Sequence, residues 1–345
     1  MSEQAWDNFL VAAQGGQPDR VPVALGADCG FIASAFGMNA LDFFLYPDRW
    51  LHAYLSLITR FPDVVFLPGF WVEYGMAAEP SAFGAPVLWR QDEAPAIRQL
   101  ALPLADWRNL PRPDPYADGL MALVLRRIWN LEQGGELPEP HRLRFVAARG
   151  PFTIATHLFG ATNFLTALAG ERSEARIAAD ALELLTETSI RFLQAQLGYL
   201  REPWGVMLLD DTVGMLSPTL FNAVARPLLA RIFAAFEGLI RIYHNDTPCQ
   251  HLLPYFPGLG FEVFHLSHRV PLAQARAALG PDIALMGNVP PLEVMVHGTP
   301  QQVVEAAHDC IIQADGSGLI LAPGGGTNAG TPARNIDALV SAALY

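Results

Sequence analysis

The sequence predicts an α/β fold: a single distorted (β/α)8, TIM-like barrel with an N-terminal helical extension and an inserted lid. Three observations carry that expectation. Short apolar runs of strand length recur at residues 21–25, 64–67, 144–148, 204–209, 239–243, 262–266, 283–287 and 319–322. Helical spacing or helix-start signals separate most of them, and strands alternating with helices imply a parallel sheet, which roughly eight such units close into a barrel. Several runs also end on polar residues, and the C-terminal ends of barrel strands are where active sites lie.

Taken in order, residues 1–20 read as a short amphipathic helix and a polar turn holding Gly15, Gly16, Pro18 and Asp19. The first strand is followed by Gly26-Ala27-Asp28-Cys29-Gly30, and helical spacing over 48–60 leads to the second strand. Residues 68–113, rich in proline, break the rhythm and predict an insertion over the barrel mouth, since loops of that length are commonly lids or binding loops. Alternation resumes at the third strand, followed by Gly150-Pro151-Phe152-Thr153 and a helix. A long helix is predicted over about 173–199 from apolar residues at Ala178, Ala181, Leu182, Leu185, Ile190 and Leu193. Ser217-Pro218 sets a serine N-cap before a first-position proline; Thr299-Pro300-Gln301-Gln302 repeats the device with a capping-box glutamine. Thr331-Pro332 starts the last helix. No low-complexity linker interrupts the chain, so residues 1–345 read as one domain.

Composition narrows the function classes. Of 345 residues, 51% are apolar and 16% charged, which fits a well-filled core. A net charge of −12 argues against a nucleic-acid partner, which needs concentrated Lys and Arg. No uncharged apolar span of about 20 residues predicts a membrane helix, and no signal peptide opens the chain. Three cysteines, Cys29, Cys249 and Cys310, make no disulfide framework, and the expected location is the cytoplasm.

The sharpest chemical cluster is His244-Asn245-Asp246 at the end of the fifth run. Residues i and i+2 leaving a strand point to one face, so His244 and Asp246 can converge on an ion or substrate. The alternative is a histidine and carboxylate bonded to each other in a loop. Asp210 and Asp211 point to opposite sides: one faces the mouth as a base or metal ligand, the other caps the following loop. His157, early in its helix, and Cys29, in a glycine-bounded loop, are candidates whose plain readings are structural. Gly324-Gly325-Gly326-Thr327 offers a close backbone approach to substrate or simply a tight turn; it is neither a P-loop nor a dinucleotide fingerprint.

Separated motifs in order, namely Arg20-Val21-Pro22, Arg60-Phe61-Pro62-Asp63, Gly150-Pro151-Phe152-Thr153, LSPTLFNAVARP at 216–227, LMGNVPP at 285–291 and the glycine turn before Thr331-Pro332, resemble the uroporphyrinogen decarboxylase superfamily. That superfamily includes the heme-pathway decarboxylase and cobalamin-dependent methyltransferases. The resemblance implies a distorted (β/α)8 barrel. The decarboxylase carries an arginine-rich loop after its first strand, where this chain has GADCGFIASAFG. Asp63 matches the decarboxylase's essential aspartate, whereas His157, Asp211 and Gly325 replace its tyrosine, serine and late histidine. The thiol-methylating branch binds zinc through His-x-Cys and a later cysteine; here only the histidine is carried over, as His244-x-Asp246 with Gly325 at the later position.

The resemblance therefore implies a methyltransferase moving a methyl group between a small ether, amine or similar substrate and a corrinoid held by a separate protein. Zinc or another metal is expected on His244, Asp246 and a carboxylate of the opposite wall, Glu73 or Asp211, with Asp211, His157 and Asp63 in catalytic roles. Asn245, Asn288, Cys29 and Gly325 are expected to contact substrate. A homodimer is left open. The alternatives are a decarboxylase acting on a porphyrinogen or smaller acid, and a non-catalytic tetrapyrrole-binding barrel.

Overall fold

The computed structural model describes residues 1–315 and 318–344. Eight parallel strands form its centre: β1 (Val23–Gly26), β2 (Val64–Leu67), β3 (Phe145–Arg149), β4 (Gly205–Leu209), β5 (Ile240–Asn245), β6 (Val263–Leu266), β7 (Ala284–Met286) and β8 (Leu319–Ile320). β3 to β8 make one ladder in sequence order, and β1 pairs with β2. An isolated bridge between Val23 and Leu321 joins β8 to β1, with the Ala24 N–H donating to the Leu321 carbonyl at 2.9 Å. Among the described residues no ladder joins β2 to β3.

Period-two alternation sorts each strand into two cores. Inward residues Ala24, Val65, Leu67, Phe145, Ala147, Met207, Leu209, Ile242, Val263, Ala284, Met286 and Ile320 form an interior cluster. Outward residues such as Val146, Leu208, Tyr243 and Phe264 belong to the larger cluster under the helices. The helix Glu3–Ala13, capped by the Ser2 hydroxyl, seals one end: Trp6 stacks on Phe145 at 5.9 Å and Phe9 meets the same ring edge-on. Phe145 opens its strand, so this sealed end lies opposite the strand C-termini.

Helix starts follow the sequence signals. Ser217 accepts from the Leu220 N–H, and Thr299 and Gln302 form a reciprocal capping box. The long helix runs Arg172–Leu197. The final helix, Ala333–Ala342, has Pro332 rather than Thr331 as its cap residue. Several helices lack a sequence expectation, among them Cys29–Ala35, Ala40–Leu45, Gly119–Glu132 and Ala161–Ala169. The first is capped by Asp28, whose carboxylate accepts from the Phe31 N–H at 2.9 Å, turning an expected loop into a helix. Residues 68–113 hold the short helix Ala78–Ala82, a two-residue hairpin (Val87–Leu88 with Ala96–Ile97) and the turn of 3-10 helix Leu104–Asn109. Among the described residues no single helix is long and apolar enough to cross a membrane.

Candidate active site

A cavity of about 700 Å³ opens at the C-terminal ends of the strands. Its floor follows from strand register. Arg149 pairs with Leu209, Leu209 with His244, and His244 with His265, so one row of side chains crosses β3 to β6 at a single level. All four line the cavity, each continuing the inward alternation of its strand above Ala147, Met207, Ile242 and Val263. Residues of the 68–113 segment, including Trp71, Glu73, Met76 and Asp92, supply another wall.

The two buried imidazoles lie Nδ1 to Nδ1 at 2.8 Å. On the far side, His265 Nε2 is 3.0 Å from the Pro323 carbonyl. A carbonyl only accepts, so Nε2 of His265 carries the proton and its Nδ1 is bare. His244 must then donate from Nδ1, which leaves its Nε2 lone pair unprotonated. That nitrogen is 3.6 Å from Asp211 Oδ1. Burial keeps the pair neutral, lowering His244 to about 4 and His265 to about 3; Arg149 lowers the first further and His244 the second.

Two carboxylates meet this nitrogen. Ligand atoms of Asp211, His244 and Asp246 all lie within 4.8 Å of one another. Asp211 Oδ1 accepts the Asp246 N–H at 3.0 Å, which fixes the start of the loop after β5. Burial raises both carboxyls, and Asp211 raises Asp246 again by repulsion. One bare imidazole nitrogen and two crowded carboxylates fit a divalent cation with nitrogen and oxygen preference, zinc included. An acceptor behind the ring, here His265 Nδ1, that sets the histidine's tautomer is the usual companion of such ligands. Among the described residues no cysteine joins this cluster.

A second polar group lines the cavity. Glu73 is buried and accepts from the Cys29 N–H at 2.7 Å and the Gly75 N–H at 3.0 Å. Burial and then Glu73 raise Asp28 to about 7. Arg149 is 8% exposed, approaches Glu73 at 3.9 Å and lies over Trp71 at 5.4 Å. His157, half-buried, is lowered by burial and by Arg149, so its imidazole is neutral near pH 7.

A sequence profile described as uroporphyrinogen decarboxylase (URO-D) matches residues 4–344. The chain belongs to the uroporphyrinogen decarboxylase family. It is 24% identical over 276 residues to a methylated-thiol–coenzyme M methyltransferase of Methanosarcina mazei, covering 78% of this chain and 70% of that protein. It is 30% identical over 332 residues to a uroporphyrinogen decarboxylase of Nocardia farcinica, covering 89% and 85%. Its fold is similar to a methyltransferase structure from Methanosarcina mazei, with a TM-score of 0.82 at 19% identity over 98% of this chain and 97% of that one.

Within this family fold, several expected site residues sit elsewhere. Asp63 precedes β2, is exposed beside Ser2, and so lies at the sealed end, away from the cavity. Asn245 points outward from β5: its amide donates to the Asp210 carbonyl at 3.0 Å and its oxygen accepts the Thr247 N–H at 3.1 Å. Asn288 donates to the Ser267 and Val270 carbonyls at 3.0 and 2.6 Å. Neither amide lines the cavity. Glu73 lines the cavity but is not in the cluster of candidate ligands; Asp211 takes that place. Gly325 serves by having no side chain: at φ +125°, an added Cβ would stand 3.3 Å from Asp246 Oδ2. Cys29 and His157 do line the cavity. The adjacent aspartates point apart as expected, but Asp210 does not cap the loop that follows it: wholly buried, it accepts from the Phe152 and Thr153 N–H groups and the Thr153 hydroxyl at the start of the helix after β3.

His265, Arg149 and Asp28 are the site residues that sequence reasoning passed over. For the first two a signal existed. Val263 and His265 repeat the spacing of Ile242 and His244, and Arg149 follows Phe145 and Ala147 on the inward face.

Proposed function

We propose that this chain is a methyltransferase that moves a methyl group between a small methylated ether or amine and a corrinoid protein. The observation that carries the reading is the convergence of the bare His244 Nε2 with Asp211 and Asp246 on the floor of an open cavity. The names of the Methanosarcina mazei relatives support methyl transfer as the reaction class. His244, Asp211 and Asp246 would hold a divalent ion, zinc among the candidates. When bound, such an ion supplies Lewis-acid polarisation of the heteroatom that leaves the methyl group. The chain's own residues do the rest. His265 holds His244 in one tautomer; neutral His157 accepts or returns a proton at its imidazole; Cys29 and Trp71 shape the wall. We assign the segment 68–113 as a lid that keeps water from the transfer, and the corrinoid to a separate protein meeting the open mouth of the cavity.

The test incubates purified chain with Co(I) corrinoid and a panel of methyl ethers and methylamines, following methyl–Co(III) by absorbance. Transfer from at least one donor, lost in His244→Ala together with bound metal, is expected. No transfer from any donor, alongside turnover of a porphyrinogen, would overturn the assignment. The decarboxylase reading draws on the Nocardia farcinica relative and on Arg149. One guanidinium against five lining carboxylates (Asp28, Glu73, Asp92, Asp211 and Asp246) is a poor host for a substrate with eight acid arms. Coproporphyrinogen production in a direct assay would favour it.

A further inference from the structure

We propose that Arg149 anchors a carboxylate carried by the methyl donor, so that the substrate is a small methylated acid. The claim rests on the methyl-transfer reading for the donor's other end and on the structure alone for this one. A guanidinium has five N–H donors, and leaving them unpaired in a buried place is costly. Arg149 uses few of them. Nη2 donates to the Gly75 carbonyl at 3.2 Å and stands 3.9 Å from Glu73, beyond hydrogen-bond length. Nε and Nη1 have no protein partner among the described residues, although the side chain is 10% exposed and lines the cavity. Glu73, tied to the Cys29 and Gly75 N–H groups, does not fill that need, because it stays beyond hydrogen-bond length of the guanidinium. The Trp71 face holds one side of the guanidinium, which leaves the cavity as the place for an anion.

Register sets the reach. Arg149 and His244 share a level with only Leu209 between them, so their backbones are about 10 Å apart at two strand spacings. Both side chains extend into the same cavity. A short acid can therefore lay its carboxylate on Arg149 while its methylated oxygen or nitrogen reaches Asp211, His244 and Asp246. The surrounding acidity does not forbid this. Asp211 and Asp246 face the His244 end, and Asp28 spends one oxygen on the Phe31 N–H.

The experiment compares acids with their amides. Binding of 3-methoxybenzoate and 3-methoxybenzamide to the full chain without corrinoid is measured by calorimetry, and methyl transfer from 3-methoxypropionate and its amide by kcat/KM. The acid is expected to bind about tenfold or more tightly than the amide, as a charge-assisted hydrogen bond implies. Arg149→Gln should erase that ratio and raise KM more than it lowers kcat; Arg149→Lys should keep part of it. Equal or better binding of the amide overturns the assignment, as does a preference that survives in a folded Arg149→Gln. If that variant fails to fold, the wild-type ratio decides alone. Selective acid binding with no methyl transfer from any donor would remove the reaction reading and leave Arg149's role standing.

Discussion

Replacing His265 with phenylalanine tests the tautomer chain at its middle link. The ring is 2% exposed, and a phenyl group fills nearly the same space, so loss of packing is small. Two polar groups lose their partners: His244 Nδ1–H at 2.8 Å and the Pro323 carbonyl at 3.0 Å. Each buried orphan costs about 1–3 kcal/mol, so the variant should lose about 2–6 kcal/mol in denaturant unfolding. With no acceptor at Nδ1, His244 can move its proton to Nε2, and affinity for a metal at Asp211, His244 and Asp246 should fall about 10–100-fold in a chelator competition. His265→Gln, which can both accept and donate, should recover much of the loss. Acid sensitivity follows with a definite sign. Both imidazoles titrate lower in the native chain, at about 4 and about 3, than the unfolded value of about 6.5. The unfolded chain therefore binds more protons below about pH 6.5, and stability present above that value is lost as pH falls through the window. Unfolding midpoints at about pH 7.5 and about pH 5 should differ less in His265→Phe, which has one fewer such group. Unchanged metal affinity in that variant, with His244 still protonated at Nδ1 by nitrogen NMR, would refute the relay.

Asp210→Asn should destabilise by about 1–3 kcal/mol in thermal or denaturant unfolding, since its second oxygen accepts the Phe152 N–H at 3.1 Å and an amide NH2 there would oppose it. Gly325→Ala forces a Cβ into a left-handed position beside Asp246, adding strain of about 1–3 kcal/mol and weakening metal binding, read by the same competition assay. Asp63→Asn should leave methyl transfer and metal content unchanged, because the residue is exposed at the sealed end; a large loss of turnover would contradict that placement.

The strand rhythm was legible because each run is apolar on both faces, as a sheet buried on two sides requires. The helix Cys29–Ala35 was not, since its cap, Asp28, stands in a glycine-flanked stretch that reads as loop. At the site, the i and i+2 relation of His244 and Asp246 was enough to pair them. Spacing left the second carboxylate open between Asp211 and Glu73: Asp211 comes from the neighbouring strand end, and only register decides that it, rather than Glu73, meets His244. Asn245 and Asn288 lie outside the cavity lining for a related reason. A polar residue at a strand end has two faces to choose from, and both amides turn to satisfy loop carbonyls.

The choice of donors bears on the leaving atom. A thiol substrate is best activated by a metal held through soft sulfur ligands, and among the described residues no thiol joins the cluster of Asp211, His244 and Asp246. Nitrogen and carboxylate donors favour oxygen or nitrogen in the open coordination position. The outer ring of the site agrees. Pro323 and His265 fix the proton of His244, and the Asp246 N–H bonded to Asp211 fixes the spacing of the two carboxylates. A metal that arrives there therefore meets a prearranged face rather than side chains that must be ordered, which favours tight binding by a small hard ion. Asp246→Cys is the substitution that probes this logic: it restores a His-x-Cys pair, and should shift affinity toward softer ions and activity toward methylated thiols while leaving the His244–His265 contact in place. A variant that still prefers ether or amine donors would show that selection lies in the cavity walls, with Arg149 and Trp71, rather than in the ligand set.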